Sequence, residues 1–158
     1  MRSNDRQTLA FDLTRRFDPE SAADGLARGV CRLLEALGYV PLFEVPLASG
    51  RRADVLGLAA SGRFAIAEVK SSLADFRTDQ KWQDYRPHCD RFYFAVPSGF
   101  PREVLPRDTG LIIADRFGAE LIREAPLNEM TASVRRRQAV RFGRVAANRL
   151  RFLYAESA

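Results

Sequence analysis

Two charged residues near the end of a strand-like run have side chains that could take part in catalysis. The run RFAIAEVK, residues 63–70, is apolar between its ends, and Glu68 and Lys70 are two positions apart. Charged side chains are seldom buried without a partner or a role. Because strand side chains alternate between faces, Glu68 and Lys70 share a face with Phe64 and Ile66. The pattern therefore predicts an apolar face that ends in charge.

The preceding strand-like run supplies a second carboxylate, Asp54, in the segment RRADVLGLAA. A three-residue hairpin loop over 60–62 would place Leu56 opposite Ile66 and Asp54 opposite Glu68. This register gathers the apolar side chains of both strands on one face, which favours it over a shifted one. Directly opposed like charges destabilise a sheet, but a divalent cation between them reverses this, and hard oxygen ligands suit Mg²⁺ or Mn²⁺.

Asp54, Glu68 and Lys70 together are the residue types expected at the active site of a metal-assisted phosphodiester hydrolase. The cation would polarise the phosphate and lower the pKa of a bound water. Lys70 would orient that water or stabilise the charge that develops on the phosphate. A salt bridge between Lys70 and one carboxylate at the sheet rim is the competing interpretation, and the spacing alone leaves both open.

Other metal ligands and nucleophiles are scarce in this chain. It has one histidine, His88, and two cysteines, Cys31 and Cys89, with no CxxC pair. A zinc finger or ribbon needs about four such ligands and is excluded. His88 and Cys89 are adjacent, so their side chains would point apart on a strand and would not form a catalytic pair. We therefore expect two buried thiols in a reducing compartment.

Composition indicates one globular domain. The chain has 158 residues, of which 46% are hydrophobic and 28% charged, so it can bury a core and has no signature of disorder. It contains no apolar stretch of membrane-spanning length, and the N-terminal segment MRSNDRQTLAFDLTRR lacks the apolar centre of a secretory signal. We therefore expect a cytoplasmic protein with a polar leader over 1–17 and a single domain over 18–158. The net charge of +5 favours a polyanionic partner.

The order of elements predicts a mixed α/β domain. A helix is expected to begin at Asp18-Pro19-Glu20, with Asp18 as its N-cap, and to run from Ala22 to Leu37. The later elements are three strands within 39–70, a helix over 73–85 closed by Pro87, strands over 91–96, 110–114 and 119–123, and a final helix over 131–154. A meander of antiparallel strands followed by a crossover helix gives a mixed sheet flanked by helices.

The final helix carries a basic stripe. No acid occurs between Thr131 and Ala155, and helical periodicity aligns four arginines: Arg137, Arg141, Arg144 and Arg151. A neighbouring apolar face would anchor the helix through Val134, Phe142, Val145, Leu150, Phe152 and Leu153. Such a stripe suits contact with a phosphate backbone. Docking of an acidic protein and a role in solubility alone are the alternatives.

Ala53-Asp54 followed by Glu68-Val69-Lys70, in an α-β-β-β-α-β order, resembles the PD-(D/E)XK nuclease superfamily, with alanine in place of the usual proline. The longer segment RRADVLGL…FAIAEVKSSLADFRTDQKWQDYRPHCDRFYFAVP resembles the MmcB family, bacterial proteins assigned to DNA repair within that superfamily. The resemblance covers about residues 24–152. It implies a restriction endonuclease-like core with an added C-terminal helix, and a Mg²⁺-dependent nuclease (Mn²⁺ being the alternative ion) that acts on DNA.

The resemblance also implies roles for individual residues. Asp54 and Glu68 would hold the metal, the backbone carbonyl of Val69 would add a ligand, and Lys70 would be the catalytic lysine. Many members add a glutamate from the first helix or strand, for which the candidates here are Glu35 and Glu44.

The segment DQKWQDY, residues 79–85, is expected to lie on the helix after the lysine strand. Some nucleases of the superfamily carry a glutamine and a tyrosine on this helix, and Gln80 and Tyr85 match that pattern at a different spacing. Lys81 lies four residues before Tyr85, on the same helical face, where it could contact a phosphate. The alternative is a surface helix with Trp82 and Tyr85 packed on the sheet.

A nuclease is the favoured interpretation, and two others stay open. A DNA-binding module of the same fold, with a silent or partner-dependent site, would bind DNA without Asp54. An interaction domain docking through the arginine helix would need no metal and would show no steep salt dependence. RNA in place of DNA, a repair-protein partner and a homodimer are also open.

Overall fold

The computed structural model describes residues 21–157, so the polar leader and Asp18 lie outside the described residues. The first described helix has Ser21 as its N-cap, whereas the sequence predicted Asp18. The elements run in the order α1 (Ala22–Ala36), β1 (Tyr39–Pro46), β2 (Arg52–Ala59), β3 (Phe64–Val69), α2 (Leu73–Thr78), a 3-10 helix (Trp82–His88), β4 (Arg91–Val96), a second 3-10 helix (Arg102–Val104), β5 (Gly110–Ala114), β6 (Ala119–Arg123) and α3 (Ala132–Glu156). The predicted mixed α/β architecture with the order α-β-β-β-α-β is confirmed.

One six-stranded sheet with the strand order β1-β2-β3-β4-β5-β6 forms the centre of the fold. Strands β3, β4 and β5 are parallel to one another, and the remaining neighbours are antiparallel. The hairpin register pairs Leu56 with Ile66 and Leu58 with Phe64, as predicted. Because parallel strands point the same way, the carboxyl ends of β3, β4 and β5 share one edge of the sheet.

The two faces of the sheet bury different sets of side chains, as strand alternation requires. Helix α1 covers one face, where Val30 and Leu34 pack on Ala65 and Ala67. Aromatic side chains from the 3-10 helix and β4 fill the other face, and Trp82 stacks on Phe92 with ring centroids 5.9 Å apart.

The helix predicted over 73–85 is wrong, because α2 ends at Thr78 and a 3-10 helix begins only at Trp82. The chain turns at Asp79, whose carboxylate accepts a hydrogen bond from the backbone amide of Lys81 at 3.2 Å. Gln80 caps the end of α2 by donating its side-chain amide to the carbonyl oxygen of Phe76 at 2.7 Å. Pro87 lies inside the 3-10 helix instead of closing a helix before it.

Helix α3 is tied to the sheet by an ion pair between a buried acid and a partly exposed arginine. Arg135 donates two hydrogen bonds of 2.8 and 2.6 Å to the carboxylate of Asp90, whose side chain is fully buried. The same carboxylate accepts the backbone amides of Phe64 and Met130 at 2.8 and 3.0 Å. One buried acid therefore joins the start of β3, the loop before α3 and α3 itself.

The apolar face predicted for α3 anchors only its first half. Phe142 and Val145 are buried, whereas Leu150, Phe152 and Leu153 are 53%, 40% and 61% exposed. The periodicity continues to the end of the helix, but the described part of the fold does not cover the last turns. Among the helices within residues 21–157, none is long and apolar enough to cross a membrane.

Candidate active site at the end of the third strand

A pocket of about 310 Å³ opens at the carboxyl end of β3. Six acids line it: Asp24, Glu44, Asp54, Glu68, Asp75 and Asp79. The lining also includes Arg52, Val69, Lys70 and Tyr85. The excess of carboxylates over basic groups gives the pocket a chemistry that favours a cation.

Asp54 and Glu68 are held by hydrogen bonds that cross between β2 and β3. The backbone amide of Asp54 donates to Glu68 Oε1 at 3.0 Å, and the backbone amide of Val69 donates to Asp54 Oδ2 at 2.7 Å. The regular pairing of the two strands ends at Val55 and Ala67, and the side chains accept the amides beyond that point. The structure thus brings the two carboxylates together at the position that the hairpin register predicts.

Burial makes this carboxylate pair electrostatically unfavourable. Burial raises the pKa of Asp54 to about 6, and the charge of Glu44 adds to the rise, while the Val69 amide and Lys70 oppose it. Burial and then the charge of Asp54 hold the pKa of Glu68 well above its usual range. A proton or a bound cation would relieve the repulsion between the two groups.

Lys70 lies in the same pocket with its side chain only 6% exposed. Its Nζ donates to Asp79 Oδ2 at 3.1 Å, so the competing salt-bridge interpretation correctly expected a carboxylate partner but not this one. Burial by itself would raise the pKa of Asp79, but hydrogen bonds from Lys70 and from the Lys81 amide outweigh it and hold the pKa below its usual value. Asp79 reaches Lys70 because the chain turns away from the helix after Thr78.

The two candidates for an additional acid lie in different places. Glu44 lines the pocket, and the pairing of Phe43 with Val55 and of Val45 with Ala53 places it opposite Asp54. Its backbone is left-handed, with φ of 49°, and its Oε2 lies 3.5 Å from Arg52 Nη1. Glu35 is exposed near the end of α1 and does not line the pocket.

Asp24 is a pocket acid that the sequence analysis did not single out. It lies in the first turn of α1 and is buried. Its backbone amide donates to Oγ of the N-cap Ser21 at 3.0 Å. An acid in the first turn is common in helices for reasons of capping and dipole, so its place beside the acidic strands was not recognisable from the sequence.

The helix break separates the residues of the segment 79–85 that were predicted to act together at the site. Tyr85 is buried and lines the pocket, where its hydroxyl donates to the carbonyl oxygen of Arg52 at 3.2 Å. Burial, with the charge of Glu68, raises the pKa of the Tyr85 phenol. Gln80 and Lys81 are exposed, and Lys81 does not share a face with Tyr85. Trp82 packs on the sheet, as the alternative interpretation expected.

The arginine helix passes beside the pocket. Arg149 donates to the carbonyl oxygens of Phe43 and Glu44, and Arg141 Nη1 lies 3.5 Å from the carbonyl oxygen of Pro46. Helix α3 therefore lies against β1 at the residues that flank Glu44. The other arginines of the predicted stripe are exposed: Arg137, Arg144 and Arg151.

The pocket fits a hard divalent cation by donor type. Its ligating atoms are carboxylate and carbonyl oxygens, which suit Mg²⁺ or Mn²⁺. Within the described residues, however, no three His, Cys, Asp or Glu side chains are arranged as a ready metal-binding group. Asp54 and Glu68 each direct one oxygen to a backbone amide, so a cation would have to use their remaining oxygens or displace these bonds.

The fold and the pocket define a mixed α/β protein with an acidic, lysine-containing cleft at one edge of its sheet. Residues 13–157 match the family model described as DNA repair protein MmcB-like, and the chain belongs to that family. Its role in DNA repair is assigned at the level of this family. Curated proteins include no significant match to the chain.

Two solved structures are similar to this one. A protein of unknown function from Silicibacter pomeroyi is 42% identical, with a TM-score of 0.84 over 87% of this chain and 94% of that chain. A repair endonuclease from Pyrococcus abyssi is 20% identical, with a TM-score of 0.35 over 51% of this chain and 40% of that chain. The first similarity extends over nearly the whole of both chains.

Proposed function

We propose that this protein is a metal-dependent nuclease of the PD-(D/E)XK superfamily that hydrolyses phosphodiester bonds of DNA during repair. The observation that carries the proposal is the convergence of Asp54, Glu68 and Lys70 in one pocket at the end of β3. A buried and a partly buried carboxylate whose pKa values are both raised, beside a buried lysine, are typical of a catalytic site rather than a stabilising one.

Mg²⁺ or Mn²⁺ would be held by Asp54, Glu68 and the carbonyl of Val69, which stand together in the pocket lining. Asp24 from α1 and Glu44 from β1 add anionic oxygens to the same pocket. The bound cation would supply a polarised phosphate and a more acidic water. The raised pKa of Asp54 and Glu68 supports this assignment, because a cation offsets the repulsion that burial creates.

The remaining pocket residues position charge. Lys70 would place a fixed positive charge beside the phosphate, where negative charge develops during hydrolysis. Asp79 fixes its ammonium group at 3.1 Å, which limits its rotation before substrate arrives. Tyr85 lines the same pocket as Glu68, and its hydroxyl is held by the carbonyl oxygen of Arg52.

Arginines on α3 would hold the DNA backbone. Arg137, Arg144 and Arg151 are exposed on a helix that lies against β1, which borders the pocket. Their guanidinium groups suit phosphate oxygens and carry no base preference. Lys81, exposed beside Asp79, would add a phosphate contact on another side of the pocket.

A DNA-binding module without catalysis is the second candidate. One observation favours it: Asp54 and Glu68 already accept backbone amides, and no ready metal-binding group stands among residues 21–157. In that case Lys70 and Asp79 would serve as a buried salt bridge in a folded DNA-binding surface.

Cleavage and binding assays on one panel of substrates separate the two candidates. Wild type, Asp54→Asn, Lys70→Met and the surface control Asp108→Asn would be incubated with nicked, branched and single-stranded DNA and with RNA, in Mg²⁺ or Mn²⁺. Asp108 serves as the control acid because its side chain is 68% exposed, in an ion pair with Arg86.

The nuclease proposal expects wild type and the Asp108→Asn control to cut, and the two pocket variants to bind without cutting. Loss of one of these groups commonly lowers the cleavage rate by roughly two to four powers of ten. Binding by all four proteins with no cleavage in either metal would refute the nuclease and leave the binding module.

A further inference from the structure

The turn between β5 and β6 holds an exposed aromatic side chain in a fixed position. Phe117 is 68% exposed, yet its turn is closed by several hydrogen bonds. Asp115 Oδ1 accepts the backbone amides of Phe117 and Gly118 at 2.8 and 3.0 Å, and the amide of Asp115 donates to the carbonyl oxygen of Gly118 at 2.9 Å. The turn is therefore ordered by the side chain and backbone of Asp115, independently of the phenyl ring.

The same turn is clamped onto α1. A Cβ atom at Gly29 would lie 2.0 Å from the carbonyl oxygen of Asp115 and 2.4 Å from that of Gly118, so the close approach requires glycine. Arg32 Nη1 donates to the carbonyl oxygen of Phe117 at 2.9 Å. A single exposed phenylalanine is ordinary on a protein surface. Phe117 differs because its backbone is held by the turn, by the contact with α1 and by Arg32, which favours a role in binding.

The turn adjoins the candidate active site. Strand β5 is parallel to β4, and β4 to β3, so the turn after β5 and the pocket at the end of β3 lie at the same edge of the sheet. Gly25, the residue after the pocket acid Asp24, approaches the turn closely, with the Cβ position of Gly25 3.4 Å from Cβ of Arg116. The first turn of α1 thus contacts both features.

The chemistry around Phe117 suits a nucleotide. The guanidinium of Arg116 lies over the ring, 4.9 Å from its centroid. Arg28 and Arg32 occupy the same stripe of α1 as Gly25 and Gly29, at the helical spacing i, i+3, i+4, i+7. The nearest acid in the turn, Asp115, is engaged by backbone amides. An aromatic face surrounded by arginines binds unpaired bases by stacking and their phosphates by charge.

We propose that the turn 115–118 docks an unpaired nucleotide of the substrate, with its base stacked on Phe117 and its phosphate contacted by Arg116. This inference rests on the proposed function, in which DNA lies at the pocket, and it adds that the substrate has an unpaired strand at the α1 side of that pocket. A base within a duplex is stacked on its neighbours and has no free face for Phe117, so fully paired DNA would not use this contact.

Fluorescence anisotropy with a labelled single-stranded oligonucleotide and its duplex, in EDTA and again in Ca²⁺, would measure this contact without cleavage. Phe117→Ala should weaken single-strand binding about tenfold, the scale of one lost base–aromatic stack, and leave duplex binding within about twofold. Phe117→Tyr should retain the affinity, and Phe117→Leu, which keeps apolar area without an aromatic face, should not. Val40→Ala is the control, since Val40 is 64% exposed on the edge strand β1.

Several results would overturn the docking site. Unchanged single-strand affinity in Phe117→Ala, full affinity in Phe117→Leu, or no binding of wild type to single strands would each do so. Sedimentation that shows a dimer dissociating in Phe117→Ala would assign the residue to self-association instead. Because binding is measured without cleavage, a protein that binds in this manner but never cuts would refute the nuclease proposal and leave the docking site intact.

Discussion

Replacing Asp54 by asparagine should stabilise the protein when metal is absent. The folded state raises the pKa of this carboxyl from 3.8 to about 6. Each step of one in pKa corresponds to about 1.4 kcal/mol, so the ionised form costs about 3 kcal/mol of folding free energy at neutral pH. Partial solvent access to Asp54 lowers the expected gain to about 1–3 kcal/mol. Asparagine removes the charge, and its side-chain oxygen can still accept the amide of Val69.

The pH dependence follows from the direction of the shift. A carboxyl whose pKa is higher in the folded than in the unfolded state contributes most stability below the unfolded value, here near pH 4. That contribution is lost as the pH rises through about 6, because the folded protein must then bury a negative charge. Wild type and Asp54→Asn should therefore be equally stable near pH 4, and the variant should gain between pH 4 and 6 and keep its advantage above.

Thermal unfolding in EDTA across pH 4–8 would test this reasoning. A gain of about 1–3 kcal/mol corresponds to an increase of about 3–10 °C in Tm for a domain of this size. Asp108→Asn is the control and should change Tm little, since the Asp108 carboxylate is 68% exposed and exposed ion pairs contribute little. Added Mg²⁺ should raise the Tm of wild type more than that of Asp54→Asn. A variant that is less stable than wild type at pH 7.5, or whose advantage is equally large at pH 4, would refute the argument.

Three further substitutions test separate parts of the structure. Asp79→Asn should lower the cleavage rate at saturating DNA about tenfold while DNA affinity changes little, because Lys70 loses its fixed orientation. Asp79→Glu should restore part of the rate. An unchanged rate in Asp79→Asn would show that Asp79 has no role in the site. Asp90→Ala should cost about 3–5 kcal/mol in urea unfolding, since it leaves Arg135 and two backbone amides without their acceptor, and a loss below about 1 kcal/mol would contradict the burial of that pair. Gly29→Ala should lower Tm by several degrees through backbone displacement, and a Tm equal to that of wild type would show that the helix and the β5–β6 turn separate easily.

The strand part of the site was predictable because local rules determine it. The loop over 60–62 and the alternation of apolar residues define one register between β2 and β3, and that register places Asp54 opposite Glu68. The observed pairing of Leu56 with Ile66 agrees with it. No knowledge of distant contacts was needed, since the two strands are neighbours in the sequence.

The rest of the site depends on contacts between distant segments. The sequence over 73–85 has the composition of one helix, and the contact of Asp79 with Lys70 and the stacking of Trp82 on Phe92 add to the local bonds of Asp79 and Gln80 at the break. Asp24 has the place of an ordinary first-turn acid, so its approach to β2 and β3 follows from the packing of α1 and not from its neighbours.

The arginines of α3 show the same limit. Helical periodicity separated the exposed stripe from the apolar face, and Arg137 and Arg144 are indeed exposed. Periodicity did not indicate that Arg135 would pair with the buried carboxylate of Asp90 or that Arg149 would cap the carbonyls of β1. Both arginines lie outside the predicted stripe, and their partners lie more than 40 residues away along the chain.

The ion pair between Asp90 and Arg135 limits how this protein can be shortened or recombined with others. A chain cut before Thr131 would lose the guanidinium and leave the buried Asp90 carboxylate with only the amides of Phe64 and Met130. Helix α3 is therefore an integral part of the folding unit and not a detachable basic tail. Changes in DNA affinity should accordingly arise by exchange of its surface arginines, while loss of the whole helix should yield protein that fails to accumulate in cells.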